Sequence, residues 1–367
     1  MSVKIVKIGD SKTIMSNPDS KHNYFGWPTV EMLQNGKIAV VASGFRLGHI
    51  CPFGKTVIAY SEDNGETYTS PSPVIDTVLD DRDGGIVAFG KSNVIVTSFN
   101  NSINFQRHIS GVSAYALSYL DTLTSEEEEK ALGSNFRISN DFGITFGEIF
   151  KSPITSPHGP VELPDGSLLW VGRTFNPEDA QRKGIDRIEA HRINADGTME
   201  FVGEIENVHF GNIELLSCDP HAIVLDNGKI LTHIRVQSAG FFTIFQSETQ
   251  DNGRTWTKPR QILSKSGGSV PHLFKHSSGM LICTYSFRGD PCHTGTNFGI
   301  RAMFSSDNGK TWDTGYSLYD NDISCDLGYS STVELADGTL ITVFYATPNH
   351  NGEAVIMQQK WRFENEI

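Results

Sequence analysis

The sequence lacks any long apolar run. No window approaches the roughly 18 consecutive apolar residues that a membrane-spanning helix needs, and the start, MSVKIVKIGDSK, has no apolar segment behind a basic stretch as a secretory signal would. We therefore expect a soluble cytoplasmic protein with no membrane partner. Secretion would require that a signal had been removed.

Cysteine is also scarce. The five cysteines are odd in number and none lies in a Cys-x-x-Cys pair. Both a disulfide framework and a cysteine-based zinc site usually need such spacings or even numbers. We expect free thiols, no metal and no other cofactor.

Basic residues are outnumbered. The 30 Lys plus Arg and the 43 Asp plus Glu give a formal net charge of −13. Such a surface repels polyphosphate at long range, so we expect no nucleic-acid partner. The length of 367 residues exceeds a typical domain of about 100–150 residues. The chain therefore forms either several ordinary domains or one large closed architecture.

What the sequence does contain is a hairpin pattern repeated six times. Each copy has a polar start, a short apolar strand, a turn that usually contains Gly, and a second apolar strand. The copies begin at Trp27, Asp83, His158, Asp219, Val270 and Tyr329. Asn-Gly and Asp-Gly turns favour β-hairpins because Gly and Asn adopt positive φ at low cost. Each unit is therefore predicted to be mostly antiparallel sheet.

A second motif, Ser/Thr-x-Asp-x-Gly-x-Thr-aromatic, follows four of the hairpins. Its copies occupy residues 61–68, 139–146, 249–256 and 305–312. We expect the Asp to cap the turn amides and the aromatic ring to pack between sheets. Four strands in each of six units predict an all-β fold, a six-bladed β-propeller of four-stranded antiparallel blades. Its closed ring would make residues 1–367 a single domain.

Two further segments complete this prediction. The early strand KIVKIG is expected to complete the last blade beside the late strand AVIMQQKWRF. Only LDTLTSEEEEKALGS, about residues 120–134, has a helical pattern, with Thr124 as the N-cap and acidic residues in the first turn. We interpret it as an insertion in blade two.

The starts of the innermost strands converge on the channel axis of a propeller, where a substrate would bind. Nine residues before the turn glycines lie Trp27, Pro157, Asp219, Val270 and Tyr329. The strand period of two places another layer two residues deeper: Thr29, Gly159, His221, His272 and Ser331. Asp83 joins the upper layer if Ser92-Asn93 forms the turn of blade two. These layers define the candidate site.

The octapeptide motif resembles the Asp box, or BNR repeat, of sialidases, and the likeness extends over nearly the whole chain. GYSSTVELADG resembles the sialidase segment that carries the nucleophilic tyrosine, which implies this role for Tyr329. DPHAIVLDNGKILTHIR resembles the segment in which a carboxylate activates that tyrosine and an arginine binds the substrate carboxylate. It implies Asp219 and Arg235 for these roles, and GIRAMFSSDNGKTW implies Arg301 as a further arginine.

Three sialidase positions differ in this chain. Gly26 stands where the family has its first arginine, and Tyr345 with Ala346 stands where a glutamate supports that arginine. The loop GFRLGHICPFGKT, which in the family holds the acid, has no carboxylate. The nearby replacements are Arg46, His49, Asp80, Asp81, Arg82 and Asp83. From this set we expect Asp83 as acid/base, His49 as a further catalytic residue and Arg46 as an anion ligand.

Other residues complete the candidate set. Arg288 would join the anion site, and Glu214 would place a second carboxylate near Tyr329. His158, His221 and His272 would hydrogen-bond the sugar. Each has an ordinary alternative, because arginines form ion pairs between blades and histidines satisfy loop carbonyls. Converging imidazoles would otherwise bind Zn²⁺ or Mn²⁺.

These residues favour a sialidase-like exo-glycoside hydrolase. It would remove a terminal acidic sugar, either sialic acid or a related nonulosonic or uronic acid, from a glycan. A neutral tyrosine suits this task because a carboxylate nucleophile would be repelled by a carboxylate on the anomeric carbon. Two alternatives stay open. One is a glycosidase or polysaccharide lyase with His/Tyr acid–base chemistry, and the other is a non-catalytic glycan-binding propeller.

Overall fold

The computed structural model describes residues 2–194, 196–238, 241–263, 267–289, 298–321, 323–348 and 353–366. The strands are, in chain order, β1 (Ser2–Met15), β2 (Tyr24–Met32), β3 (Ile38–Arg46), β4 (Lys55–Ser61), β5 (Ser72–Ile75), β6 (Arg82–Phe89), β7 (Asn93–Phe99), β8 (Ser134–Ser139), β9 (Phe150–Ser152), β10 (Ile154–Thr155), β11 (Val161–Glu162), β12 (Leu168–Thr174), β13 (Ile188–Ile193), β14 (Met199–Ile205), β15 (His209–Phe210), β16 (Ile213–Glu214), β17 (Leu216–Val224), β18 (Ile230–Ser238), β19 (Phe241–Thr249), β20 (Arg260–Gln261), β21 (Gly268–Lys275), β22 (Leu281–Phe287), β23 (Phe298–Ser305), β24 (Asp313–Asn321), β25 (Gly328–Glu334), β26 (Leu340–Ala346) and β27 (Val355–Glu366). The helices are α1 (Ile103–His108), α2 (Ala114–Leu120) and α3 (Ser125–Ala131).

Six antiparallel sheets form the predicted six-bladed propeller. Blades one, two, four and five are β2–β5, β6–β9, β17–β20 and β21–β24, each with its strands in chain order from the axis outward. Blade three is built around β12, which pairs with both β10 and β11 on its inner side. A small hairpin, β15–β16, joins blades three and four.

The ring closes in blade six, where the first strand of the chain lies beside the last. β1 pairs with β27 from Ser2 opposite Glu366 to Met15 opposite Ile356. This confirms the expectation that the early strand completes the last blade. The sheet order is therefore β25-β26-β27-β1 from the axis outward.

The apolar core lies between neighbouring blades. Phe25 and Val40 of blade one pack with Val343 and Ile356 of blade six in one cluster. The fully buried indole of Trp361 donates a 2.8 Å hydrogen bond to Thr342 Oγ1, which satisfies its one polar atom. Each blade thus buries both of its faces.

The Asp boxes have the expected local geometry. In the first, Ser61 Oγ accepts from Gly65 N at 2.9 Å, and Asp63 accepts from the Thr67 amide at 2.9 Å and from its hydroxyl at 2.6 Å. The same contacts recur around Asp141, Asp251 and Asp307. These side chains close turns on the outside of the ring and lie away from its axis.

The helical insertion is longer than expected. Thr124 caps α3 and exchanges hydrogen bonds with Glu127 in a capping box, as the sequence indicated. However, the insertion begins already at Ile103, and the expectation of a helix only within 120–134 was wrong. The helices α1 and α2 have six and seven residues, which is too short for a clear apolar period. No helix in the described ranges is long and apolar enough to cross a membrane.

The described cysteines are free. Cys51, Cys218 and Cys283 are buried, and Cys325 is exposed. Cys292 lies outside the described residues.

The inner strands share a bulge at the mouth of the channel. Trp27, Asp83, Asp219, Val270 and Tyr329 all have φ between 47° and 55°. In each case the register of the inner strand shifts at this point. The repeated conformation supports the predicted common height. It also places Asp83 at this height. The hairpin of Asp83 turns at Gly90–Ser92 and not at Ser92-Asn93, because Phe89 pairs with Asn93. Such backbone strain costs about 1–3 kcal/mol per residue and is typical of functional sites.

Close packing of blades two and three yields a stability prediction. A Cβ on Gly85 would lie 2.4 Å from Thr97 Oγ1 and 2.7 Å from the backbone nitrogen of Gly159. We expect Gly85→Ala to lower the free energy of unfolding by about 1–3 kcal/mol, because the backbone of blade three has to move. Gly48→Ala, where a Cβ meets nothing within 4 Å, is the control in thermal unfolding. Equal melting temperatures for the two variants would contradict this interpretation.

Candidate active site

A cavity of about 180 Å³ opens at the channel mouth among blades two, three, four and six. Three arginines and three aspartates supply its charged groups: Arg82, Arg173, Arg235, Asp83, Asp179 and Asp219. Tyr329 also lines this cavity. The left-handed bulges therefore bring together residues from blades that are far apart in sequence.

Tyr329 is held as a neutral phenol. Its amide donates to Ser286 Oγ at 3.1 Å, and its ring lies 6.4 Å from that of Trp27 and 6.1 Å from that of Tyr345. Burial raises the pKa of Tyr329 well above its usual value, and the charges of Asp219 and Asp83 add to this shift. Within the described ranges its hydroxyl makes no hydrogen bond, so it is available to a ligand.

Asp219 and Arg235, for which the sequence implies separate roles, form an ion pair with each other. Asp219 Oδ2 accepts from Arg235 Nη1 at 2.7 Å, and both side chains are largely buried. Arg235 Nε donates to Gln237 Oε1 at 2.7 Å, which fixes the plane of the guanidinium. The opposite charges of Asp219 and Arg235 therefore neutralise each other beside Tyr329.

Asp83 lies in the same cavity and is 6% exposed. Burial raises its pKa to about 7, and nearby Asp219 and Asp179 raise it while Arg82 and Arg46 oppose the shift. Its Oδ1 atom has no hydrogen-bond partner among the described residues. The carboxyl of Asp83 therefore titrates much closer to neutral pH than an ordinary aspartate does.

Arg82 is a buried cation that makes no side-chain hydrogen bond or ion pair with the described residues. It is 6% exposed, and its guanidinium lies 4.4 Å above the ring of Trp27 and 5.8 Å from that of Phe99. Within the described parts of the chain its guanidinium makes no hydrogen bond or ion pair. The neighbouring Arg173, by contrast, is paired with Asp179 and Asp186. Burial opposes the charge of Arg82, but the nearby charges of Asp80, Asp83 and Asp179 outweigh this effect and raise its pKa.

The structure corrects the expected role of Arg46. Its side chain is fully buried and forms a 2.5 Å ion pair with Asp80, which is equally buried. The guanidinium also donates to Ser43 Oγ at 2.7 Å and to the carbonyl of His49 at 2.8 Å. The N–H groups of the guanidinium are all directed to acceptors inside the protein, so none is left to bind an anion. The cation at the mouth is Arg82 instead.

The remaining predicted arginines divide into one near the site and one away from it. Arg288 donates to the carbonyl of Leu327 at 3.1 Å and lies close enough to oppose the raised pKa of Tyr329. Arg301 lies on β23, forms a 2.7 Å ion pair with Asp320 and does not line the cavity. Arg301 does not reach the cavity because β23 is the third strand of blade five and lies farther from the channel axis than β21 and β22.

Glu214 is likewise used elsewhere. It accepts from Asn207 Nδ2 at 2.9 Å and from the Gly184 amide at 3.0 Å. These contacts tie the β12–β13 loop of blade three to the segment that leads into blade four. Glu214 is therefore not a second carboxylate beside Tyr329.

His49 lies at the rim of the mouth in a hydrogen-bonded cluster that the sequence did not predict. Its Nδ1 lies 3.1 Å from Asp326 Oδ1 and 3.1 Å from the Tyr24 hydroxyl, which itself donates to Asp326 Oδ2 at 2.7 Å. These contacts assign the proton to Nδ1 and leave Nε2 as an acceptor. Desolvation lowers the pKa of His49, and the hydrogen bond to Asp326 opposes this shift.

Tyr345 explains two departures from the sialidase pattern. A Cβ on Gly26 would meet the rings of Tyr24 at 3.4 Å and Tyr345 at 3.7 Å. The position of the missing arginine and the position of the missing glutamate are thus neighbours in space. Tyr345 fills the volume between them, and its hydroxyl donates to Asp326 at 2.9 Å.

The three central histidines lie below the cavity and do not line it. The rings of His158, His221 and His272 are 4.5–5.3 Å apart. His158, rather than the expected Gly159, occupies this deeper layer, where it contacts Thr29 Oγ1 at 3.0 Å. In the described ranges no group of three or more His, Cys, Asp or Glu is placed to hold a metal ion.

Backbone and hydroxyl groups already use these imidazoles. His221 Nδ1 accepts from the Leu273 amide at 2.8 Å, and His272 Nε2 lies 3.1 Å from Ser331 Oγ. Burial lowers the pKa of His221 to about 3 and lowers those of the other two as well. We expected these histidines to hydrogen-bond a sugar. Instead, the three neutral imidazoles pack against one another across the channel.

Comparison with known proteins agrees with the fold. The family model described as a BNR repeat-like domain matches residues 158–343, half of the chain. Among solved structures, a protein of unknown function from Dyadobacter fermentans is similar with a TM-score of 0.74 at 16% identity, over 99% of both chains. No curated protein matches the chain at a significant level.

Several of the similar structures are sialidases by name. The NanB sialidase of Streptococcus pneumoniae has a TM-score of 0.66 at 15% identity, over 96% of this chain and 70% of that one. The intramolecular trans-sialidase from Ruminococcus gnavus, in complex with oseltamivir carboxylate, has a TM-score of 0.62 at 14% identity, over 97% of each chain. The fold is therefore the six-bladed propeller that sialidases share. The chain belongs to the BNR repeat-like domain family.

The contrast between two buried arginines yields a prediction. Arg46→Met would leave Asp80 buried and unpaired, which lowers the free energy of unfolding by about 3–5 kcal/mol. Arg82→Met removes a guanidinium that makes no hydrogen bond, so the change stays within about 1 kcal/mol. Urea unfolding of both variants measures the difference. A loss in Arg82→Met as large as in Arg46→Met would contradict the unpaired state of Arg82.

Proposed function

We propose that the protein is a sialidase-like exo-glycoside hydrolase that removes a terminal acidic sugar from a glycan. The observation that carries this proposal is the unpaired cation Arg82 in one cavity with Tyr329 and Asp83. Guanidinium groups bind carboxylates through paired charge-assisted hydrogen bonds. A buried guanidinium that makes no hydrogen bond or ion pair with the described residues is suited to a substrate carboxylate.

The reaction would proceed in two balanced steps. Tyr329 Oη attacks the anomeric carbon while Asp219 takes the phenolic proton, and Asp83 protonates the departing oxygen as the glycosidic bond breaks. In the second step the ionised Asp83 takes a proton from water, whose oxygen displaces Tyr329, and the phenolic proton returns from Asp219. The product is the free acidic sugar. No cofactor enters this scheme.

Two features beyond Arg82 support this assignment. The high pKa of Tyr329 keeps it neutral, so it does not repel an anionic sugar as it approaches. The trans-sialidase of similar fold was solved with a carboxylate ligand. The substrate class we propose is sialic acid or a related nonulosonic or uronic acid at the end of an oligosaccharide.

A second candidate function is β-elimination by a polysaccharide lyase, which the His49 cluster favours. A lyase needs a neutral base beside a uronate, a cation that neutralises its carboxylate and an acid for the leaving oxygen. His49 Nε2, Arg82 and Tyr329 have these properties. Hydrolysis is the better-supported function because Tyr329 shares its cavity with Asp83, whereas His49 lines a neighbouring one.

Tyr329→Phe tests the nucleophile. Removal of the phenolic oxygen eliminates the covalent step, so we expect kcat on an aryl glycoside of N-acetylneuraminic acid to fall by at least about a thousandfold. Binding of the free sugar, measured by calorimetry, should change little.

The same assay separates the alternatives. A product with a conjugated double bond, visible by ultraviolet absorbance on a uronate polymer, would indicate the lyase. Glycan binding without turnover of any acidic glycoside in the wild type would leave only a binding propeller. Undiminished activity of Tyr329→Phe would exclude the tyrosine mechanism.

The acid role of Asp83 predicts the pH dependence. Because burial raises its pKa to about 7, the protonated form prevails below this pH and is lost above it. We expect kcat/KM to fall about tenfold per pH unit on the basic side of pH 7. Asp83→Asn should be slow and should lack this basic limb. A limb that persists in Asp83→Asn would assign the titration to another group.

A further inference from the structure

The channel has another cavity at the end opposite the candidate active site. It has a volume of about 390 Å³ and lies near the ends of the six inner strands. The strand period of two brings one residue of each blade to face the axis there, four positions after Trp27 and its counterparts: Glu31, Val87, Val161, Ile223, Phe274 and Val333. At about 3.3 Å per residue, this layer lies about 13 Å below the mouth. We name this space the rear cavity.

The three central histidines lie between the rear cavity and the candidate active site. Their rings pack against one another two residues above the layer of Glu31. His221 and His272 line the rear cavity, and none of the three lines the cavity around Tyr329. A ligand of the rear cavity therefore has no contact with Tyr329. The inference below is independent of the proposed function.

Glu31 departs from the apolar character of its layer. The other five blades each contribute Val, Ile or Phe at this height, whereas blade one contributes a carboxyl group. Burial raises the pKa of Glu31 to about 8, and hydrogen bonds with the backbone of Ala88 and Met32 oppose this shift. Glu31 forms no ion pair with the residues that the structure describes. Five blades pack without an acid here, so the fold does not require one, and an ionisable group in an apolar cavity is typical of a binding site.

The charges around the rear cavity are negative. Two more carboxylates line it at the ends of β11 and β25, where Glu162 accepts from the Gly90 amide at 2.9 Å and Glu334 accepts from the Ser277 amide at 2.8 Å. Beside Glu334, His276 Nε2 lies at 3.3 Å. No lysine or arginine of the described chain lines the cavity. Its field therefore attracts a cation.

The walls of the rear cavity add an aromatic face and a hydrogen-bond donor. Phe274 lies in the same layer as Glu31, and the face of an aromatic ring attracts cations. His221 Nδ1 accepts from the Leu273 amide at 2.8 Å, so the ring proton is on Nε2. His221 is 9% exposed, and this N–H has no acceptor among the described residues. A ligand that carries an acceptor would satisfy it.

We propose that the rear cavity binds an organic ammonium ion whose apolar body carries a hydrogen-bond acceptor. The ammonium group pairs with Glu31, the apolar body packs against the Val, Ile and Phe side chains of the layer, and the acceptor binds His221 Nε2–H. A metal ion fits this site less well, because Ca²⁺ and Mg²⁺ need about six oxygen ligands and the layer offers one carboxylate. In the described ranges no group of acidic or histidine residues is placed to hold a metal.

Glu31→Gln tests the site with 6-aminohexan-1-ol as the probe and hexane-1,6-diol as its uncharged counterpart. Ligand-observed NMR titration measures the Kd of each. At pH 8.5 we expect the wild type to bind the ammonium probe at least about tenfold more tightly than the diol, and Glu31→Gln to lose this difference. Glu129→Gln removes the same charge from an exposed position of α3 and should bind as the wild type does. Equal affinity of the wild type for both probes, or an undiminished preference in Glu31→Gln, would overturn the proposal.

The pH dependence supplies a measurement that a merely structural role of Glu31 would not change. An ammonium ion pairs with the ionised carboxylate, so below the raised pKa of Glu31 its binding releases about one proton. We expect the Kd of the ammonium probe to fall about tenfold from pH 6 to pH 7 in the wild type and not in Glu31→Gln. Both proteins keep the other titratable groups that face the cavity or its rim: Glu162, Glu334, His221, His272 and His276. A Kd that does not change with pH in the wild type would contradict the pairing with Glu31, however the variant folds.

Discussion

The pairing of β1 with β27 is the constraint on which the rest of the structure depends. A propeller blade buries both faces only if it has a neighbour on each side, so an open ring would expose two apolar blade faces. The first strand of the chain prevents this by completing the sheet that the last three strands begin. Closure fixes the radius of the channel. It thereby fixes how closely the six inner strands approach one another at the mouth.

That approach explains the left-handed bulges. A regular strand would alternate its side chains across the sheet and send few of them over the axis. A positive φ at Asp83, Asp219 and Tyr329 turns these side chains into one cavity. None of the three is glycine, so each conformation costs free energy that the packed ring has to offset. The aromatic contact of Trp27 with Tyr345 depends on the same closure, since it joins blade one to blade six.

The sequence predicts those features that depend on short-range pattern. Six hairpins and four Asp boxes identify the ring. Counting from the turn glycines brings Asp219 and Tyr329 to one height, and Asp83 joins them only if a turn at Ser92-Asn93 is assumed. Charge partners are a different matter, because they come from distant segments. Asp80, which forms the ion pair with Arg46, lies 34 residues from it in sequence. Asp326, which orients His49, lies 277 residues from that histidine. No local pattern distinguishes the buried pair of Arg46 from the unpaired Arg82. Similarly, nothing in the sequence near Gly26 indicates that Tyr345 occupies the space that a side chain at position 26 would fill.

Pairing inside the mouth reconciles an acidic protein with an anionic ligand. The net charge of −13 acts over the Debye length, which is about 8 Å at physiological ionic strength. Within the cavity, short contacts matter more, and there Arg235 and Arg173 are each held by aspartates. Arg82 and the titrating Asp83 remain. A carboxylate on Arg82 would add a negative charge near Asp83 and raise its pKa further. Substrate binding and retention of the catalytic proton would then reinforce each other, since each favours the other by the same free energy.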